Sequence, residues 1–205
     1  SLEGKVQQYP LRQPMVDVTS IGAGGGSLAW IDAAGGLRVG PQSAGVRPGP
    51  ACYGQGGTEP TVTDASVVLG YLNPSNFGYG EIALRPDLAR QAVAKVAGKL
   101  GLGVEETALG IHRILNTRMA EEMRLVSIGR GHDPRQFALV ALGGGGAVHA
   151  GRLAELLSIP RVLVPPVPGV LSALGLLVAN IEHEHSITYP AGLAEADLRA
   201  LEQAF

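Results

Sequence analysis

The stretch Phe137-Ala-Leu-Val-Ala-Leu142, followed by Gly143-Gly144-Gly145-Gly146 and then Ala147-Val148-His149-Ala150, decides the fold of this 205-residue chain. Its apolar run predicts a buried strand, its glycines a bare backbone loop, and the residues from Ala147 to Leu157 a helix. Glycines expose peptide N–H groups with no Cβ in the way, and a helix N-terminus behind them adds partial positive charge. A second run, Gly22-Ala23-Gly24-Gly25-Gly26-Ser27, stands far upstream. Two glycine loops, one before a strand and one before a helix, predict a nucleotide held between two backbone surfaces. Tight turns needed only for packing are the alternative.

Upstream of this stretch, Met15 to Ile21 is β-branched and reads as a strand, and Ser27 to Asp32 as a second. Ala33-Ala34-Gly35-Gly36 marks a hairpin into a third strand at Leu37-Arg38-Val39, so the chain opens as an antiparallel three-strand meander. From about 41 to 80 the sequence is rich in Gly, Pro, Thr and Asn and reads as an insertion, with one short helix at Ala65 to Leu69. Pro86 to Leu100 predicts a helix closed by Gly101. Leu109, His112, Leu115, Met119, Met123 and Val126 recur at helical spacing and predict a longer one from Val104 to Val126. Downstream come a strand at Arg161 to Val164 and a helix from Gly169 to Asn180. Three antiparallel strands followed by alternating helices and strands predict an α/β fold, one half of an actin-like ATPase of the ribonuclease-H-like type. Residues 1–205 are expected to form a single subdomain of a larger protein.

Composition narrows the function. Hydrophobic residues make up 45 %, which predicts a packed core. A net charge of −2 without any Lys/Arg run, and only 4 % aromatics, give no footprint for nucleic acid. No apolar run reaches the ~18 residues of a membrane span. The lone Cys52 permits no internal disulfide, and Ser1-Leu2-Glu3-Gly4-Lys5 lacks a signal-peptide pattern; a cytoplasmic location is expected. The missing initiator Met predicts that the chain begins mid-protein.

The glycine runs fail the dinucleotide fingerprint. The first is followed by a strand-like segment, and the second has His149 where the third glycine belongs, with no carboxylate after the next strand. A Walker A spacing is absent. In the actin-like reading, Asp17 leads into the hairpin Gly22, Gly24, Gly25, Gly26 and Ser27, which wraps the phosphates of ATP. A hard carboxylate such as Asp17 holds Mg²⁺ directly or through water; capping its own turn is the alternative. Gly143, Gly144, Gly145 and Gly146 would face the adenosine. His149 either reaches a phosphate or ribose, or caps the helix. His183-Glu-His185 puts two imidazoles on one strand face, a metal-binding spacing, but with no third ligand nearby a solvated strand is the better reading. Cys52 has no helix start or basic partner to lower its pKa and is expected to be inert.

Further stretches carry a resemblance: Val16-Asp-Val, Ile21 to Ser27, Gly40-Pro-Gln-Ser-Ala-Gly-Val-Arg-Pro-Gly-Pro-Ala-Cys-Tyr-Gly54, Pro60-Thr-Val-Thr-Asp64, Asp133-Pro-Arg135 and Pro168-Gly-Val-Leu-Ser-Ala-Leu-Gly175. In this order they resemble the hydantoinase A/5-oxoprolinase family, which includes N-methylhydantoinase A and related subunits of acetone and acetophenone carboxylases. The resemblance implies ATP-dependent activation of a lactam, imide or ketone, commonly with a second, hydantoinase B-type subunit. It also implies that Thr61 and Thr63 lie toward the substrate and that Asp64 takes part in catalysis; a turn with a helix cap is the alternative for that segment. The family often shows His where Thr19 stands, Glu where Gly129 stands, and Gly-Gly-Ala-Gly-Pro-Leu-His where this chain reads Gly143 to His149. Its N-terminal phosphate loop has no counterpart here, so the chain is expected to be the C-terminal half of the ATPase region. The expected activity is an ATP-dependent amidohydrolase that phosphorylates the carbonyl oxygen of a cyclic amide for ring opening, the fragment alone being inactive. A ketone carboxylase subunit and a non-catalytic sugar- or nucleotide-sensing module are the rivals.

Overall fold

The computed structural model describes residues 4–6, 9–11, 18–80, 82–181 and 199. Strands β1 (Gly4–Val6) and β2 (Tyr9–Leu11) pair antiparallel, as do β3 (Ser27–Ile31) and β4 (Leu37–Ser43). The expected hairpin joins β3 to β4. Asp32 accepts hydrogen bonds there from the Ala34 amide at 3.0 Å, the Gly36 amide at 2.8 Å and the Arg38 guanidinium at 2.6 Å. The Gly36 amide, and then Arg38, hold the Asp32 carboxyl below the usual carboxylate range.

The expected first strand is not part of this sheet among the described residues. Asp17 and its neighbours from 12 to 16 lie outside them, while Val18 to Ile21 are described and carry no ladder. Two contacts account for the difference. The Ala29 amide on the outer edge of β3 donates to Pro60 O at 2.8 Å, and Leu28 bridges Thr61, so the Pro60-Thr61 segment pairs with that edge. The Ile21 carbonyl accepts instead from the Arg118 guanidinium at 3.3 Å.

Helix α1 (Val62–Val68) begins earlier than its apolar pattern suggests because Thr61 caps it. The Thr61 hydroxyl accepts from the Asp64 amide while the Asp64 carboxylate accepts from the Thr61 amide, a reciprocal capping box. Helix α2 (Pro86–Leu100) starts on a proline and stops at Gly101, whose φ of +67° is open to glycine at little steric cost. Helix α3 (Val104–Ile128) is the longest element, with Glu105 and Glu106 in its first turn where the helix dipole favours acids. It packs through Ala108, Ile111 and Leu115 into a core with Ala29, Val39, Val62, Ala65 and Val93. One turn further along, Ala120 joins Leu153, Ala154, Leu157 and Ile159 in a second core. The glycine- and proline-rich stretch from 41 to 80 supplies part of a third, where Cys52 and Val67 pack with Leu84 and Ala89.

Strand β5 (Ala138–Val140), helix α4 (Gly143–Leu157) and strand β6 (Arg161–Leu163) form a βαβ unit whose strands pair in parallel. Here the four glycines are not a loop: they form the first turn of α4. Gly143, at φ +77°, makes the sharp entry from β5. Interior glycine disfavours a helix by about 1 kcal/mol per residue, and burial of Ala150, Leu153, Ala154 and Leu157 further along offsets that cost.

The chain divides into two compact units, Ser1–Gly169 and Val170–Phe205. In the second, helix α5 (Leu171–Val178) is shorter than the expected Gly169 to Asn180, because Pro168–Val170 form a separate 3₁₀ turn. The His183-Glu-His185 segment lies outside the described residues. No helix among the described residues is long and apolar enough to cross a membrane.

Candidate functional site

A cleft of about 260 Å³ in the first unit brings the two glycine runs together. Gly25 and Gly26 reach it from the loop before β3, Gly144, Gly145, Val148 and His149 from α4, and Val62, Thr63 and Ser66 from α1. Tyr53, Leu72 and Phe77 complete the lining.

The upstream loop is tied down by its own carbonyls. Gly24 O accepts from the Ser27 amide at 3.0 Å, Gly26 O from the Ala44 amide at 2.9 Å, and Gly25 O from both the amide (2.8 Å) and the hydroxyl (2.9 Å) of Thr63. The Gly24 amide donates to Ser27 Oγ at 3.0 Å. The Gly25 and Gly26 amides take no part in these bonds. A Cβ on Gly25 would meet Thr63 Oγ1 at 2.7 Å, so packing alone requires glycine at this position.

Gly144 and Gly145 differ. A Cβ on either would have no heavy atom within 4 Å. Packing therefore does not require these glycines, and the open space their missing side chains leave belongs to the cleft. No side chain caps α4, so its first-turn amides keep their donor capacity beside that space.

Of the expected site residues, Gly25, Gly26, Thr63, Gly144, Gly145 and His149 meet in the cleft. Gly22, Gly24, Ser27, Gly143 and Gly146 flank its lining without forming it, and Asp17 lies outside the described residues. Thr61 and Asp64 are fully buried. Asp64 Oδ2 accepts from the Ala51 amide (3.2 Å), the Thr61 amide (2.9 Å) and the Thr61 hydroxyl (2.7 Å), while Oδ1 accepts from the Cys52 amide (2.7 Å). The carboxylate thus pins the Ala51-Cys52 turn onto the start of α1. Burial first, and then the Asp64 charge, push the Cys52 thiol up, in keeping with the expected inert cysteine.

Behind the cleft lies a polar layer that the sequence reading passed over. His112 and Asn116 of α3, Ser66 of α1 and His149 of α4 are all buried. Ser66 Oγ donates to Val62 O at 2.8 Å, so it accepts from His112 Nε2–H at 2.9 Å. Asn116 Oδ1 accepts from His149 Nδ1–H at 2.8 Å. The two imidazoles stack at 5.2 Å, and Tyr71 meets His112 edge-on at 5.1 Å. Burial, and then the neighbouring His149, lower His112 to about 4; burial lowers His149 as well. Both rings are therefore neutral near pH 7. With one nitrogen protonated on each, His112 Nδ1 and His149 Nε2 are bare acceptors. Neither is sealed from solvent, since no buried side-chain nitrogen or oxygen among the described residues lacks a partner. The signal was present in the sequence: His112 and Asn116 stand four apart on the same helix face as Ile111 and Leu115, an apolar stripe in which a polar pair needs partners.

Residues 1–185 match the family model for hydantoinase/oxoprolinase. The chain is 45 % identical over 200 residues to the caprolactamase subunit alpha of Pseudomonas jessenii, covering 96 % of this chain and 29 % of that protein. Among solved structures it is similar to the ATP-dependent caprolactamase from the same organism, with a TM-score of 0.76 and 47 % identity over 85 % of this chain and 25 % of that one. It is also similar to nucleotide-free acetone carboxylase, from work on ATP-dependent acetone carboxylation, with a TM-score of 0.78 and 34 % identity over 87 % of this chain and 26 % of that one. The chain thus spans between a quarter and three-tenths of the length of these relatives.

Proposed function

The chain belongs to the hydantoinase/oxoprolinase family, and on that premise we propose that it forms part of the nucleotide-binding core of an ATP-dependent hydrolase of cyclic amides. The observation that carries this reading is the cleft in which both glycine runs meet, with open space where side chains at Gly144 and Gly145 would stand. The rest of the cradle would come from an N-terminal half of an actin-like ATPase subunit, in a reducing cytoplasm and beside a hydantoinase B-type partner.

Bound MgATP would supply the phosphoryl group that converts a cyclic-amide carbonyl oxygen into a leaving group. The chain's own residues hold and orient. Amides of Gly25, Gly26 and the first turn of α4 would hold the nucleotide's phosphates or ribose, with no side chains of their own in the way. His149 presents a neutral lone pair at Nε2, which suits a ribose hydroxyl and not a phosphate oxygen, because two acceptors cannot share a hydrogen bond. Thr63 fixes the Gly25 carbonyl and thereby the direction of the loop. Asp64 acts through the turn that it pins, as a positioning residue. No cluster of three or more ligating side chains occurs among the described residues, and Mg²⁺ needs none, being held commonly by one or two carboxylates, water and substrate phosphates. Asp17 is the carboxylate proposed for that task.

The likeness to acetone carboxylase supports a second reading, a subunit that phosphorylates a ketone enolate for carboxylation; a nucleotide-binding module without chemistry is the third. In the full-length protein, Asp17→Asn is expected to lower turnover far more than MgATP affinity, since the metal matters most as phosphoryl charge moves. Unchanged turnover at saturating MgATP would remove Asp17 from the metal site. Phosphate release coupled to lactam opening, and not to carbon dioxide fixation, separates the first two readings.

A further inference from the structure

We propose that the cavity on the far side of the histidine layer is a second small-molecule site, built for a short hydroxy-carboxylate. This cavity, about 460 Å³, is lined by Tyr71, His112, Arg113, Asn116, Gly151 and Arg152, among others. Its volume falls within the range of small-molecule sites. Four observations converge on its ligand.

Among the described residues His112 Nδ1, on a residue 3 % exposed, has no donor, and the Asn116 amide nitrogen, on a residue 5 % exposed, has no acceptor. Both residues line this cavity and neither atom is sealed from solvent, so an acceptor and a donor on largely buried side chains are offered to whatever fills it. Arg113 is exposed and has no hydrogen-bond or ion-pair partner among the described residues. Arg152 is paired with Glu155 at 2.7 Å, which leaves the lining with a net positive charge from Arg113. Gly151 sits inside α4, where glycine weakens a helix, yet a Cβ there would meet nothing within 4 Å. Packing does not ask for glycine at 151, and its open side adds room to the cavity.

A carboxylate satisfies the guanidinium of Arg113 and the Asn116 N–H together. The acceptor at His112 Nδ1 requires a donor on the same ligand. A hydroxyl supplies it with a net negative ligand charge, whereas an ammonium would bring a second cation beside Arg113. Leu109, Ala147 and Val148 leave an apolar wall for the carbon chain between the two groups. The site is separate from the proposed nucleotide cleft, which shares only Val148 with it.

Calorimetric titration of the full-length protein with 3-hydroxypropionate and 4-hydroxybutyrate, against propionate and butyrate, tests this. At least one hydroxy acid is expected to bind about tenfold more tightly than its deoxy partner, the scale of one neutral hydrogen bond. Arg113→Gln and Gly151→Leu should each weaken that binding by about tenfold or more, one by removing the cation and one by filling the space, with the melting temperature and MgATP affinity unchanged. Absence of saturable binding by either hydroxy acid, equal binding of hydroxy and deoxy acids, or wild-type affinity in both folded variants would overturn the proposal. None of these outcomes depends on whether the glycine cleft binds nucleotide.

Discussion

Asp64 ties together two segments beside the candidate cleft without lining it. Four donors converge on its two oxygens, and the residue has no solvent exposure. Asp64→Ala would strand the Ala51, Cys52 and Thr61 amides in a buried place. Each unsatisfied buried donor costs on the order of 1–3 kcal/mol, so the expected loss is about 3 kcal/mol or more, read as a lower urea midpoint. A variant as stable as the parent but without turnover would instead make Asp64 a chemical participant. The sequence already showed Thr61-Val-Thr-Asp64 as a cap in waiting; that Asp64 also grips the Ala51-Cys52 turn depends on a contact across twelve residues, which no local pattern reports.

Among the elements, α3 and α4 meet through two neutral imidazoles, and that contact is sensitive to acid. His112 titrates near 6.5 when unfolded and about 4 when folded, lowered first by burial. Between these values the unfolded chain binds the proton and the folded one does not, so the stabilisation is fully present above 6.5 and is lost as pH falls toward 4. Going from pH 7 to pH 5 should cost the parent about 2 kcal/mol more than it costs His112→Gln, which cannot charge at this position. Denaturation curves at the two pH values measure the difference; an equal loss in parent and variant would mean that His112 takes up its proton as readily in the fold as in the unfolded chain. The helices themselves were legible, because α2 and α3 carry both a regular apolar period and stop signals at Gly101 and Gly129. The start of α4 was not, since four glycines oppose a helix locally and only the buried face from Ala150 onward enforces it. The strand expected at Met15 to Ile21 failed in its described part for a related reason. β-branched residues mark an extended segment, but the partner of the β3 edge was decided by Pro60 and Thr61, far along the chain. The polar layer went unread because its members come from three helices, and its meaning appears only when they meet.

For the molecule as a whole, the claim is that two glycine runs far apart in sequence become the two sides of one nucleotide cleft. The chain supplies this cleft while spanning only about a quarter to three-tenths of its relatives' length, so the affinity belongs to the full-length protein. Gly145 allows the claim to be tested cleanly. Its Cβ position is empty and its φ is not in the left-handed region, so Gly145→Val adds a branched side chain on the cleft where the Cβ itself meets no heavy atom within 4 Å. Measuring MgATP affinity by calorimetry, with a melting curve on the same full-length variant, is the decisive experiment. The account predicts an unchanged melting temperature and an affinity weaker by about 1–3 kcal/mol, the scale of a sterically blocked backbone site. A folded Gly145→Val protein that binds MgATP as tightly as its parent would contradict it.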